Sequence, residues 1–131
     1  MAEITKEKET TLVGASSREI ADAIVKILDD KNAKDIKLLR VDDSTVITDY
    51  FVICTANSTT QIRSLSGELE FKLGERGLSP THVDGGVSSG WLAMDFLHVI
   101  VHIFLGDQRE FYKLEKVWGD AEDIPVNTTE K

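Results

Sequence analysis

The chain has 131 residues, 41% of them hydrophobic, with 15 Lys and Arg against 23 Asp and Glu and a formal charge of −8. That is one domain with enough apolar content to fold, and no stretch approaches the roughly 18 apolar residues of a membrane span. The single Cys excludes an internal disulfide, and the polar first eleven residues lack the apolar segment of a secretory signal, so the cytoplasm is the expected compartment.

The negative balance argues against direct binding to phosphate backbones, which depends on Lys and Arg. A nucleic-acid partner would be reached through a basic protein. Residues 1–15 carry two Lys and three Glu, and residues 119–131 carry one Lys and four acids. Both segments lack periodicity and read as tails, the second acidic, around a single domain of residues 16–118 that keeps −4 of the total.

Ser16 and Glu19 have capping-box spacing, so a helix begins there. Ile20, Ala23, Ile24, Ile27 and Leu28 then form one apolar stripe. Residues 36–41 and 50–55 are short β-branched or apolar runs around the turn-favouring Asp42-Asp43-Ser44, which predicts two antiparallel strands. Ser58 and Gln61 repeat the capping logic ahead of a second helix with Ile62, Leu65, Leu69 and Leu73 on one face, ended by Gly74 or Gly77. After Pro80, residues 81–83 suffice for a short strand, and residues 85–90, with three Gly, predict a flexible loop. Residues 91–96 and 99–105 read as a hairpin turning at Leu97-His98. Asp107 and Glu110 open a last helix, with Phe111, Leu114 and Trp118 on one face and Arg109, Tyr112 and Lys116 on another.

The expected fold is α/β in the α+β sense, with a mixed sheet of about five strands under covering helices. The strand–helix–strand crossover after residue 55 requires a parallel pair, and the hairpins supply antiparallel ones.

With Leu97 and His98 central in the turn, Ala93 pairs with His102 and Trp91 with Phe104. Trp91, Asp95, His102 and Phe104 then share a sheet face, with Asp95 diagonal to His102. Such a pair could be a general base and its orienter, but no nucleophile-bearing turn accompanies it, and a buried His tolerated beside an acid is the preferred reading. His98 and His102 would stand roughly 13 Å apart on an extended strand, too far for a shared metal. Cys54 sits in an apolar strand and reads as core. The Gly-rich loop lacks the Lys-Ser/Thr of a phosphate-binding loop. Neither a metal nor a cofactor is expected. Trp91, Arg109 and Tyr112 are residue types that dominate interface hot spots.

Several segments together carry a resemblance. These are Asp35-Ile36, residues 49–55, Ser58 with Gln61, Val83-Asp84-Gly85, residues 91–95, Val101-His102-Ile103-Phe104, and residues 109–121. In order and spacing, from about residue 16 to residue 121, they resemble the ribosomal silencing factor (Iojap/YbeB) family. The resemblance implies a nucleotidyltransferase-like fold without catalytic activity. It further implies a translation repressor that binds the large ribosomal subunit through universal large-subunit protein fourteen. Binding there blocks joining of the small subunit and lowers synthesis when nutrients are short, with a possible part in large-subunit biogenesis. Homodimers are implied for the isolated protein. Carried onto this chain, the partner-binding residues are Asp84, Trp91, Asp95, His102, Arg109 and Tyr112. Three positions depart from the family pattern: Asp84 stands for a usual Glu, Thr55-Ala56 for Thr-Gly, and Leu97-His98 for Gly-Asp at the hairpin turn. The competing reading is a nucleotidyltransferase-like enzyme using Asp84, Asp95 and His102.

Overall fold

The computed structural model describes residues 11–41, 48–106 and 122–126. Its elements in chain order are α1 (Ser17–Asp30), β1 (Lys34–Arg40), β2 (Tyr50–Ala56), α2 (Thr59–Glu75), β3 (His82–Gly86), a 3₁₀ turn (Val87–Ser89), β4 (Trp91–Phe96), β5 (Val99–Leu105) and β6 (Glu122–Ile124).

Helix α1 starts where the capping box predicts. The Ser16 hydroxyl accepts from the Glu19 N–H at 3.1 Å, and the Glu19 carboxylate accepts from the Ser16 N–H at 2.9 Å. At α2 the Ser58 hydroxyl likewise accepts from the Gln61 N–H, but the Gln61 side chain reaches one residue further back, accepting from the Asn57 N–H at 2.7 Å. The helix ends in a Schellman arrangement, with the Leu78 N–H bonded to the Leu73 carbonyl and the Gly77 N–H to that of Gly74. Gly77, rather than Gly74, is the terminator. Its φ is +90°, and a Cβ there would lie 2.7 Å from Val13.

The six strands form one sheet in the order β3-β4-β5-β2-β1-β6. β1 and β2 are antiparallel as expected, with a register irregularity between Lys34 and Lys37 where Asp35 takes a φ of +50°. The parallel pair is β2 with β5, so the crossover passes through α2, β3 and β4 before returning beside β2. The β4–β5 hairpin has the expected register, with Phe96 opposite Val99 and Trp91 opposite Phe104. Leu97, the first central turn residue, has a φ of +60°, the sign that a type II′ hairpin turn requires at that position.

Both described helices pack on one face of the sheet. Ile62, Leu65, Leu69 and Leu73 of α2 and Ile20, Ile24 and Leu28 of α1 are at most 2% exposed and join Leu38, Val52, Cys54, Met94, Val101 and Ile103 in the main core. Each fully buried aliphatic side chain contributes about 1.5–3 kcal/mol. Cys54 is thus a small core residue. The opposite face carries a second cluster of Leu39, Val41, Phe51, Ile53 and Phe104, with Trp91 and Ile100 packed against it.

Three expectations need correction. Residues 11–15 are not a free tail: Leu12 is buried and its N–H bonds to the Arg76 carbonyl at 2.8 Å. The acidic C-terminal segment supplies a sixth strand, because Glu122, Asp123 and Ile124 pair with Arg40, Leu39 and Leu38 and so cover the edge of β1. Nor are residues 85–90 a simple loop. Gly85 and Gly86 extend β3 against Leu92 and Trp91, and the 3₁₀ turn follows directly. The turn at 42–44 and the last predicted helix lie outside the described residues.

Candidate functional site

The residues of interest converge on the sheet face away from α1 and α2. Adjacent strands place cross-strand partners on the same side, so the row Asp84, Ala93, His102, Ile53 runs across β3, β4, β5 and β2. Trp91 and Asp95 flank Ala93 on β4. This much was readable from hairpin alternation. What the sequence could not supply is the parallel register of β2, which sets Phe51 beside Ile100 and brings its ring to 5.0 Å from His102 at 78°, an edge-to-face contact.

The centre of the face is a cluster of near-parallel rings. Trp91 and His102 have centroids 6.1 Å apart and planes within 10°, and His102 and Phe104 are 6.2 Å apart within 9°. The Trp91 indole Nε1–H donates to His102 Nδ1 at 3.2 Å. An indole nitrogen only donates, so His102 is a neutral acceptor at Nδ1 and carries its proton on Nε2. Burial lowers the His102 pKa to about 4, which agrees with that neutral form.

Asp95 does not orient His102. His102 Nε2 and Asp95 Oδ1 are both buried without a hydrogen-bond partner among the described residues. Burial raises the Asp95 pKa above its ordinary value, while nearby His82 and His98 act in the opposite direction. His82 faces Asp95 across the β3–β4 ladder, and its Nε2 also lies 3.8 Å from Asp84 Oδ2. The geometry therefore gathers Trp91, Asp95, Asp84 and His102 on one face, with His82 and Phe51 as members that sequence reasoning missed. Arg109 and Tyr112 lie outside the described residues.

As a catalytic set this arrangement is poor. Asp84 and His102 are two strands apart, roughly 10 Å between backbones. His102 is engaged by an indole rather than by an acid, and among the described residues no three His, Cys, Asp or Glu side chains are grouped as metal ligands. An open depression at the C-terminal ends of β2 and β5 meets the start of α2, where many α/β proteins bind phosphate. Here the Asn57 N–H at its rim already donates to the Gln61 side chain, and the Ser58 hydroxyl already accepts from the Gln61 N–H.

Residues 14–131 match the profile of the family described as "Ribosomal silencing factor during starvation". The chain belongs to the ribosomal silencing factor family. It is 34% identical over 111 residues to a protein of Halalkalibacterium halodurans named ribosomal silencing factor RsfS, covering 85% of this chain and 95% of that one. The Bacillus subtilis protein of the same name is 38% identical over 93 residues, covering 71% and 79% of the two chains. A mouse relative named "Mitochondrial assembly of ribosomal large subunit protein 1" is 34% identical over 100 residues, covering 74% of this chain and 44% of its own. Among solved structures, a Chromobacterium violaceum protein superposes with a TM-score of 0.76 at 26% identity, covering 88% of this chain and 94% of its own. A Bacillus halodurans structure does so with 0.73 at 29% identity, covering 83% and 99%. Membership in the ribosomal silencing factor family thus rests on nearly the whole domain. In the described residues no helix is long and apolar enough to cross a membrane.

Proposed function

We propose that this protein is a non-enzymatic repressor of translation that acts in the cytoplasm. It docks on the large ribosomal subunit through universal large-subunit protein fourteen, obstructs joining of the small subunit, and lowers synthesis when nutrients are limiting. The family match over residues 14–131 carries the reading. The sheet face supports it with the elements of a protein-binding surface: a half-buried Trp91 braced by other rings, with Asp84 and Asp95 on the same side. An acidic chain meets a basic ribosomal protein with complementary potential and without needing phosphate contacts of its own. Asp84, Trp91, Asp95 and His102, with Arg109 and Tyr112, form or support that contact. In isolation the protein pairs as a homodimer. A part in large-subunit assembly is favoured by the name of the mouse relative.

Co-sedimentation with isolated large subunits, read together with a subunit-joining assay, tests the proposal. The protein is expected to sediment with large subunits and to slow joining. Trp91→Ala should weaken binding by about 2 kcal/mol, the cost of truncating a hot-spot anchor. No bound protein at micromolar concentration would reject the reading. Nucleotide turnover lost in Asp95→Asn would instead restore the enzyme alternative.

A further inference from the structure

Position 102 lies mid-strand in β5, between Ala93 of β4 and Ile53 of β2. Its neighbours Val101 and Ile103 are fully buried, and His102 itself is only 7% exposed. An aliphatic residue would fill such a position without desolvating a polar ring, so the imidazole is a cost unless its nitrogens are used. Among the described residues Nε2 has no partner. Nδ1 makes one bond, to the Trp91 indole.

We propose that His102 is a positioning residue of the docking face: as an acceptor at Nδ1 it fixes the plane of the Trp91 indole, and so the aromatic surface that Trp91 presents to a partner. The inference rests on the docking reading above and adds a role to it.

Three observations bear it. The imidazole is itself held, stacked on Phe104 within 9° and met edge-on by Phe51, so it is a fixed acceptor rather than a mobile one. The indole lies within 10° of the imidazole plane, as a hydrogen bond lying close to the planes of both rings would produce. The backbone of Trp91 is constrained independently, because Gly85 on β3 passes so close that a Cβ there would lie 2.4 Å from the Trp91 carbonyl oxygen and 3.1 Å from its ring. The ladder partners Gly86 and Phe104 set where Trp91 leaves the strand, and His102 sets how its ring is turned. Hot-spot aromatics act through a fixed orientation whose entropy is lost before binding.

The test uses ¹⁵N-labelled full-length protein, isolated large subunits, and two variants. His102→Phe keeps a ring in the stack and removes the acceptor, whereas His102→Asn restores an acceptor near the position of Nδ1. In the wild type, His102 Nδ1 should be unprotonated and coupled to the Trp91 indole N–H. A protonated Nδ1 would overturn the assignment without any variant. The Trp91 indole resonance, identified by its loss in Trp91→Phe, should move in His102→Phe, with large-subunit affinity falling on the order of tenfold. His102→Asn should recover most of both. An unmoved indole resonance, or unchanged affinity where Trp91→Ala binds weakly, would refute the role. Failure of the wild type to sediment would defeat the docking reading, while the tautomer measurement still reports on the His102–Trp91 bond alone.

Discussion

Acidification should destabilise the fold through His102 in a defined window. The imidazole is 7% exposed, and burial holds its native pKa at about 4, against roughly 6.5 in an unfolded chain. Below about pH 6.5 the unfolded state takes up a proton that the native state refuses until about pH 4, so stability is fully present above that window and falls as the pH drops through it. At about 1.36 kcal/mol for each pH unit between the two values, the whole loss is about 3 kcal/mol, most of it between pH 6.5 and 4.5. That is a large share of the 5–15 kcal/mol typical of a domain. Asp95 opposes it. Its native pKa is raised by burial, so its protonation in acid favours the native state, though the side chain is only half-buried and the effect correspondingly smaller. Urea unfolding followed by far-ultraviolet circular dichroism, for wild type and His102→Phe between pH 7.5 and 4.5, isolates the imidazole because Asp95 and the surface carboxylates are common to both. The stability difference between the two proteins should change by about 2–3 kcal/mol over that range, with the wild type losing more. Parallel curves would show that His102 is not held neutral, and would remove the physical basis for its acceptor role.

Two backbone positions give further tests. Gly85→Ala forces a Cβ against the Trp91 carbonyl at a φ of +79° and should cost about 2 kcal/mol or more in denaturant unfolding; a neutral result would mean that the close approach of β3 to β4 is easily relaxed. Leu97→Gly should stabilise the hairpin. Relief of a φ of +60° is worth about 1–2 kcal/mol, of which glycine's extra chain entropy returns roughly 0.5–1 kcal/mol, and a lowered thermal midpoint would contradict the turn geometry.

The parts of this structure legible in the sequence are those set by local periodicity. The four apolar residues of α2 and the pairing of Trp91 with Phe104 follow from spacings of 3.6 and 2 within continuous segments. The hairpin register survived an unfavourable turn pair because a slip of one residue would carry Phe96, Val99 and Val101 out of the main core. That cost exceeds the strain at Leu97. The crossover after residue 55 requires a parallel partner for β2, but the register of that pair was not legible. Nothing near Phe51 indicates that the partner is β5 or sets their alignment, yet that register completes the ring cluster around His102. Glu122–Ile124 was missed because three residues carry no detectable alternation; the strand is selected by the edge of β1 rather than by its own sequence. The suspected Asp95–His102 pair was a sound inference of proximity and a wrong one of chemistry, because alternation specifies the face of a side chain but not which neighbour its polar atoms choose.

The same strand alters what the net charge of −8 means. Read as a tail, residues 119–131 are a patch of negative charge free to attract a basic partner. In the fold, Asp123 lies 3.4 Å from Lys37 and Glu122 lies 3.5 Å from Arg40, so two of those acids are set against cations of β1. Exposed pairs of this kind stabilise by at most about 1 kcal/mol each, and their larger consequence is to cancel charge locally. That edge of the sheet is thereby made nearly neutral, and β1 loses the open edge at which another strand could add. At the other edge, Asp84 lies 3.8 Å from His82, and Asp95 sits near His82 and His98. β3 and β4 thus bring two carboxylates, Asp84 and Asp95, to the same side of the sheet as Trp91. A basic partner of the kind proposed above would meet these carboxylates beside the braced aromatic, a distinction between the two edges that net charge alone does not make.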